Sequence, residues 1–271
     1  TAALGLRVPV IISIRNNLEP FYSGRTDKFQ VRWLFPHAAG CVYQTAEQRD
    51  FFKPYLQENS RVIMNPVNRK YIELPDPDYE HQERCVVQSS RLVDFKNQEM
   101  LLRAFAKVHA VHPDLSLKIY GPDSEDGTKE KLEEIIRANQ AKDWMQLMGG
   151  TDRLEELIPK AAIYTLPSNY EGMPNALMEA MAMGMPCIST DCPAGAPRVL
   201  IQDGVNGLLI PVGDEAAMTA AILKLIENPE LRRSLGQEAR KIREIAGTDE
   251  IYHQWKDYLE EVIREREGKK T

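Results

Sequence analysis

The chain has 271 residues, of which 43% are hydrophobic and 27% charged, a composition typical of a globular protein with one large or two smaller domains. Its formal net charge of −6 excludes the overall positive charge that attracts nucleic acid or an anionic membrane surface. No apolar run is long enough to span a membrane, and the first residues do not form the pattern of a signal peptide.

The four cysteines, at positions 41, 85, 187 and 192, form no C-x-x-C pair. The five histidines do not group with them at zinc-ligand spacing. We therefore predict buried, reduced thiols in a cytoplasmic protein rather than disulfides or a metal site.

Helices and strands alternate in the first third of the chain. The pattern predicts strands at residues 8–13, 40–44 and 61–64, and helices at 27–35 and 46–55. Residues 65–83 contain three prolines and little periodicity, which indicates a linker between domains.

The alternation becomes regular after residue 83. Strands are predicted at 85–89, 115–120, 145–148, 163–166, 187–190 and 207–210, and helices at 98–111, 128–139 with Thr128 as its cap, 153–161, 175–183, 215–227 and 229–245. A last amphipathic helix is predicted at 250–266, with an apolar face formed by Ile251, Trp255, Tyr258, Leu259 and Ile263. This order predicts a parallel sheet covered by helices, which binds ligands beyond the carboxyl ends of its strands.

The segment SNYEGMPNALMEAMAMG, at 168–184, places Glu171 and Glu179 eight residues apart. Pro174 suits the first position of a helix, where a missing N–H costs nothing. The free N–H groups at this helix start suit an anion such as phosphate. Eight helical residues rise about 12 Å, whereas two carboxylates that act on one sugar bond lie about 5–9.5 Å apart. The spacing favours two acids that reach different parts of one extended ligand. The alternative is that neither acid binds a ligand, with Glu171 solvated in a loop and Glu179 lying on its own helix face. On the pattern alone, the two explanations are equal.

Other glycines and cations also follow predicted strands. Arg91 and Lys96 lie between a strand and a helix, where two cations can straddle a diphosphate. Taken alone, this segment is better explained by a solvated loop with two ordinary surface charges. The glycine-containing turns admit a nucleotide or only close the chain; they are Gly121, Met148-Gly149 and Gly195-Ala196.

Together these segments resemble the group 1 retaining glycosyltransferases, which include glycogen- and sucrose-synthase-like enzymes. Residues 168–186 match S-x-x-E-G-x-P-N-x-L-x-E-A-M-A-x-G-x-P, and 90–108 resemble the family's G-R-L-x-x-x-K-N segment. Ser90 stands where the family usually has glycine, and Val199 where a glutamate often follows proline-arginine. The resemblance covers most of the chain and is strongest at 85–214.

The resemblance implies an α/β fold of the GT-B type, in which two Rossmann-like domains face each other across a cleft. Residues 73–248 would form a complete donor-binding domain, 1–72 the end of the acceptor-side domain with the start of the linker, and 249–271 a helix that packs back across the cleft. The family's earlier glycine-rich loop and histidine have no counterpart, so we expect a fragment or a shortened product.

The resemblance also implies roles for individual residues. Glu171, Arg91 and Lys96 would be catalytic, with the two cations stabilising the diphosphate leaving group. Glu179 would bind the ribose hydroxyls. The remaining donor-binding positions would be Gly172, Met173, Pro174, Asn175, Ala176, Gly121, Met148 and Gly149. No metal or other cofactor is expected.

The expected function is transfer of a sugar, with retained configuration, from a nucleotide-sugar to a saccharide or lipid-linked acceptor in polysaccharide or glycoconjugate biosynthesis. UDP is the expected nucleotide, with GDP and ADP as alternatives. A place in the cytoplasm or at the inner membrane face is expected, with peripheral membrane association left open. The alternative is a truncated module that binds nucleotide-sugars without transfer. A nucleotide-sugar epimerase shares the architecture but not the paired-glutamate motif. Arg15, which follows the first predicted strand, is a candidate to line the cleft, but an ordinary surface arginine is the favoured interpretation.

Overall fold

The structure is a computed structural model, and it describes residues 8–15, 24–193 and 195–268. A first, smaller sheet has three parallel strands in sequence order: β1 Ile11–Ser13, β2 Gly40–Tyr43 and β3 Ser60–Val62. The strand predicted at 8–13 begins three residues later than expected, and the one predicted at 61–64 is displaced by one to two residues.

The helices of this part are shorter than predicted. Helix α1, Arg25–Phe29, continues as a π-helical turn, Gln30–Leu34, and a 3-10 turn, Phe35–His37. Helix α2, Ala46–Phe51, ends well before residue 55. Pro54 disfavours helical backbone in the residue before it, Lys53, so the helix cannot easily continue. The predicted linker contains a short helix, α3, Arg69–Ile72, capped by Asn68.

A second sheet has six strands, all pairs parallel, in the order β6-β5-β4-β7-β8-β9. The chain builds outward from β4 to β6 and then returns to the other side of β4, so β4 and β7 are neighbours at the point where the direction reverses. Ligands of such sheets bind at this switch point. The strands are β4 Glu83–Ser89, β5 Ser116–Tyr120, β6 Met145–Gly149, β7 Ala161–Leu166, β8 Cys187–Thr190 and β9 Leu208–Ile210.

Helices cover both faces of the second sheet, as the alternation predicted. Val86 of β4 joins one apolar core, while its neighbours Cys85 and Val87 join the other, because successive side chains of a strand point to opposite faces. The helices are α4 Gln98–Val111, α5 Thr128–Ala138, α6 Leu154–Leu157, α7 Asn175–Ala182, α8 Ala196–Leu200, α9 Glu215–Ile226, α10 Pro229–Ala239, α11 Ile242–Ala246 and α12 Thr248–Gly268.

Three details of these helices differ from the predictions. Thr128 is the first residue of α5 rather than its cap, and its N–H donates to the Asp126 carboxylate at 3.0 Å. The helix predicted at 153–161 ends in a 3-10 turn, Ile158–Lys160, and Ala161 already belongs to β7. The helix predicted at 229–245 is two helices, α10 and α11.

Helix α12 packs on the smaller sheet. Ile251, Tyr258 and Val262 lie in one cluster with Val42 and Ile63, and the Tyr258 hydroxyl donates to the Asn59 carbonyl at 2.6 Å. The predicted apolar face was partly wrong: Leu259 and Ile263 are 43% and 46% exposed, while Val262 is buried. No helix in the described part of the chain is both long and apolar enough to cross a membrane. The four cysteines are buried and free, as predicted.

Gly121 joins the ends of β4 and β5. A Cβ atom at this position would lie 1.7 Å from the Ser90 carbonyl oxygen, which is backbone and cannot move aside without displacing β4. We expect Gly121→Ala to lower the free energy of unfolding by about 3 kcal/mol, because the added methyl group overpacks a backbone contact. Gly127→Ala is the matched control, since the positive φ there is also strained but the space is open. Urea unfolding of both variants measures the difference, and equal losses would contradict the argument.

Candidate functional site

A cleft of about 780 Å³ lies where the carboxyl ends of β4 and β7 meet, at the switch point of the larger sheet. The smaller sheet contributes to its opposite wall through the segments that follow β1 and β3. The cleft is lined by Arg15, Asn65, Pro66, Ser90, Arg91, Phe95, Lys96 and residues 170–176. Eight predicted site residues therefore come together here: Arg91, Lys96, Glu171, Gly172, Met173, Pro174, Asn175 and Ala176.

The loop after β4 is fixed against the loop after β7. Asn97 adopts left-handed backbone, φ 51°, and its side chain accepts from the Met100 N–H at the start of α4. The Phe95 ring stacks on Tyr170 with centroids 4.6 Å apart, and the Asn169 N–H donates to the Phe95 carbonyl at 2.8 Å. These contacts hold Lys96 beside the glutamate motif.

Lys96 and Glu171 form an ion pair, with the Lys96 ammonium 2.6 Å from Glu171 Oε1. The Ser168 hydroxyl donates to the same carboxylate oxygen, also at 2.6 Å. Both side chains are largely withdrawn from water, since 15% of Lys96 and 7% of Glu171 is exposed. In this structure Glu171 therefore holds a cation at the cleft wall.

Helix α7 begins at the cleft. The sequence suggested Pro174 as the first residue of this helix, but Pro174 is its N-cap. The Pro174 carbonyl accepts from the N–H groups of Leu177 and Met178. The first N–H groups of a helix have no partner within it and carry partial positive charge. An anion in the cleft therefore meets this helix start as well as the Arg91 and Lys96 side chains.

Glu179 lies further along α7 and does not line the cleft. Burial raises the pKa of its carboxyl group to about 7, an effect opposed by Lys70 and reinforced by Glu155. Lys70 is engaged elsewhere, since its ammonium lies 2.7 Å from the Glu155 carboxylate and donates to the Asp152 carbonyl at 3.1 Å. Among the described residues, no hydrogen bond or ion pair satisfies the Glu179 side chain.

The three other predicted donor-binding residues also lie outside the cleft lining. The Gly121 N–H donates to the Gly149 carbonyl at 2.8 Å, so these two residues contact each other. Met148 is 45% exposed. Their predicted contact with a nucleotide stays a prediction.

Arg15 lines the cleft, so the favoured interpretation as an ordinary surface arginine missed its place in the site. Burial lowers the pKa of its guanidinium group, which lies over the Trp255 ring of α12, 5.8 Å from the centroid. Asn65 and Phe95 were also missed. The available signal was position, because Arg15 comes directly after the first strand of a parallel sheet.

Comparison with known families identifies the family of this chain. The family described as "Glycosyl transferases group 1" matches residues 74–242. The chain belongs to this family. The match includes both the cation segment after β4 and the paired glutamates, so the family predicted from these motifs is confirmed.

Curated relatives are longer than this chain. The "UDP-N-acetylglucosamine--peptide N-acetylglucosaminyltransferase GtfA subunit" of Streptococcus pneumoniae is 31% identical over 221 residues, which is 79% of this chain and 42% of that protein. The "Putative glycosyltransferase EpsD" of Bacillus subtilis is 36% identical over 146 residues, 54% of this chain and 37% of that protein. The chain thus spans less than half the length of either relative.

Solved structures share the fold. Anabaena Alr3699/HepE in complex with UDP and glucose superimposes with a TM-score of 0.86 at 19% identity, over 96% of this chain and 74% of that one. A TarM mutant of S. aureus, with UDP among its ligands, has a TM-score of 0.78 at 24% identity, over 93% of this chain and 50% of that one. These similarities confirm the predicted α/β fold of the GT-B type.

Proposed function

We propose that this chain carries the donor-binding side of a retaining glycosyltransferase that uses a nucleotide-sugar, with UDP as the nucleotide. The observation that carries the proposal is the meeting of two cations, Arg91 and Lys96, with the start of α7 on one wall of the cleft. A diphosphate is bound well by this combination, in which Lys96 supplies a point charge, Arg91 a forked pair of hydrogen-bond donors, and the helix start oriented N–H groups. The names of the relatives, which include a UDP-N-acetylglucosamine transferase, agree with it.

The proposed chemistry is stabilisation of the leaving group. When the bond between sugar and diphosphate breaks, negative charge grows on the diphosphate oxygens, and fixed donors placed there in advance stabilise the transition state. Lys96 is held in place by Glu171, so it needs little rearrangement to act. Because the protein supplies this positive charge itself, we propose that no metal ion or other cofactor is needed.

Glu179 is proposed to accept hydrogen bonds from the ribose hydroxyls. Its side chain is half-buried without a described partner, and the raised pKa of its carboxyl group reflects the cost of removing the charge from water. Two hydroxyl donors would satisfy the charged form. The donor sugar would then lie toward Glu171, at the opposite end of the same motif.

The acceptor is proposed to be a saccharide or lipid-linked saccharide, in polysaccharide or glycoconjugate biosynthesis, that enters from the wall formed by the smaller sheet. We further propose a cytoplasmic location, because the four buried cysteines are free thiols. The second candidate function is nucleotide-sugar binding without transfer. It is favoured by the cleft lining, in which the two cations and the start of α7 lie together on the donor-binding wall.

A thermal-shift series tests the proposal. At 100 times the dissociation constant, a ligand that binds only the folded state adds about 2.7 kcal/mol to the free energy of unfolding, a shift of several degrees. We expect UDP and UDP-sugars to produce this shift, uridine to produce much less, and EDTA to leave it unchanged. No shift with any nucleotide or nucleotide-sugar would refute both candidates. Sugar transfer or slow donor hydrolysis by this chain then separates the enzyme from the binding module.

A further inference from the structure

Three polar side chains follow the three strands of the smaller sheet and converge on one point. Arg15 comes after β1, Gln44 after β2 and Asn65 after β3. The Asn65 carboxamide oxygen accepts from Arg15 Nη1 and from Gln44 Nε2, the latter at 2.6 Å. The Asn65 amino group donates to the carboxamide oxygen of Asn175 at 2.6 Å. Asn175 is the first residue of α7, so this chain of contacts joins the two sheets.

The direction of each hydrogen bond among these four side chains follows from Arg15. A guanidinium group has only donors, so the oxygen of Asn65 must face it. The amino group of Asn65 must then face Asn175, whose own oxygen must turn toward Asn65. The Asn175 amino group is left over, and no hydrogen-bond acceptor for it occurs among the described residues. Asn175 is exposed and lines the cleft.

We infer that Arg15 and Asn65 are positioning residues that fix the polarity of the Asn175 amide, so that its N–H₂ group and not its oxygen faces the ligand. The inference rests on the proposed function, because it concerns how the cleft receives an anionic donor. An amide that presents its oxygen repels a phosphate oxygen, whereas one that presents N–H₂ donates to it. Residues that follow strands of the smaller sheet thereby orient a side chain that binds the nucleotide-sugar from the side of the larger sheet.

Asn65→Asp reverses this polarity with almost no change in shape. The new carboxylate still accepts from Arg15 and Gln44 but has no N–H, so Asn175 keeps the contact only by turning its amino group away from the cleft. We expect a melting temperature equal to or above that of the wild type, because Arg15 gains an ionic partner. We expect the Kd for UDP to rise about 10-fold or more, since a donor to a charged group becomes an acceptor. A merely structural role would not separate stability from affinity in this way.

The added charge alone also weakens anion binding, so the same substitution is measured in an Asn175→Ala background. If the amide polarity is responsible, Asn65→Asp changes the Kd of that variant by less than about threefold, because no amide remains to turn. An equal loss in both backgrounds indicates a through-space charge effect and overturns the inference. Wild-type affinity in the single Asn65→Asp variant also overturns it and leaves the proposed function standing.

A nucleotide-free measurement keeps the inference testable even if UDP does not bind. In asparagine-labelled protein, the Asn175 side-chain NH₂ signal is identified by its loss in Asn175→Ala. Its protons should exchange rapidly with water in the wild type, since they face the open cleft, and at least about 10-fold more slowly in Asn65→Asp, where they become hydrogen-bonded. Unchanged exchange contradicts the inference. Absence of UDP binding by the wild type would refute only the proposed function.

Discussion

Replacing Lys96 by Met is expected to weaken UDP binding by about 30- to 100-fold, because a charge-assisted contact to phosphate contributes about 2–3 kcal/mol. Binding of uridine, which lacks the diphosphate, should change less than about threefold. If this chain transfers sugar, kcat should also fall by about 10²–10³, as when one preorganised donor of a developing negative charge is removed. Titration calorimetry with both ligands, followed by a transfer assay, gives the three values.

The same substitution has a stability cost that must be separated from the loss of binding. Glu171 is 7% exposed, and removing Lys96 leaves its charge buried with only the Ser168 hydroxyl as a described partner. Lys96→Met/Glu171→Gln removes both charges, so it should recover most of the melting temperature and none of the affinity for UDP. If the double variant binds UDP like the wild type, Lys96 does not contact the diphosphate.

Much of the larger sheet was predictable because its strands are short, apolar and regularly separated by helices. Helix α4 and strand β8 have the predicted bounds, Gln98–Val111 and Cys187–Thr190. The motif residues also pointed to the cleft, since each follows a strand whose carboxyl end must lie at one edge of the sheet. Periodicity failed where helices are irregular, as around the π-helical turn Gln30–Leu34.

The contacts within the site were not predictable from local pattern. Lys96 and Glu171 are 75 residues apart, and only the pairing of β4 with β7 brings them to 2.6 Å. Asn65 lies in a segment without periodicity, yet it joins the two sheets. In both cases the sequence gives the side-chain chemistry, whereas the partner is set by the order of strands in the sheets.

Glu179→Gln is expected to change stability and binding in opposite directions. Burial raises the pKa of Glu179 from its ordinary value of 4.5 to about 7, so the folded state holds this proton to higher pH than the unfolded state. The protonated carboxyl group of Glu179 stabilises the folded state fully below about pH 4.5, and this stabilisation is lost as the pH rises through 7. The free energy of unfolding should therefore be lower at pH 8 by up to about 3 kcal/mol. Gln carries no charge to bury. The variant without ligand should therefore melt several degrees higher than the wild type at pH 8, with little difference at pH 4.5.

Ionisation of Glu179, which lowers stability, should raise the affinity for the nucleotide. Ribose hydroxyls donate to the charged carboxylate, so the affinity of the wild type for UDP-glucose should fall about 10-fold or more between pH 8 and pH 5.5. UDP-glucose is the suitable ligand because its diphosphate, unlike a terminal phosphate with a pKa near 6, does not titrate in this range. Glu179→Gln should bind weakly and without this pH dependence. Glu156→Gln, an exposed acid paired with Arg153 on nearby α6, is the control and should behave as the wild type. A wild-type affinity that is flat with pH would place the ribose away from Glu179.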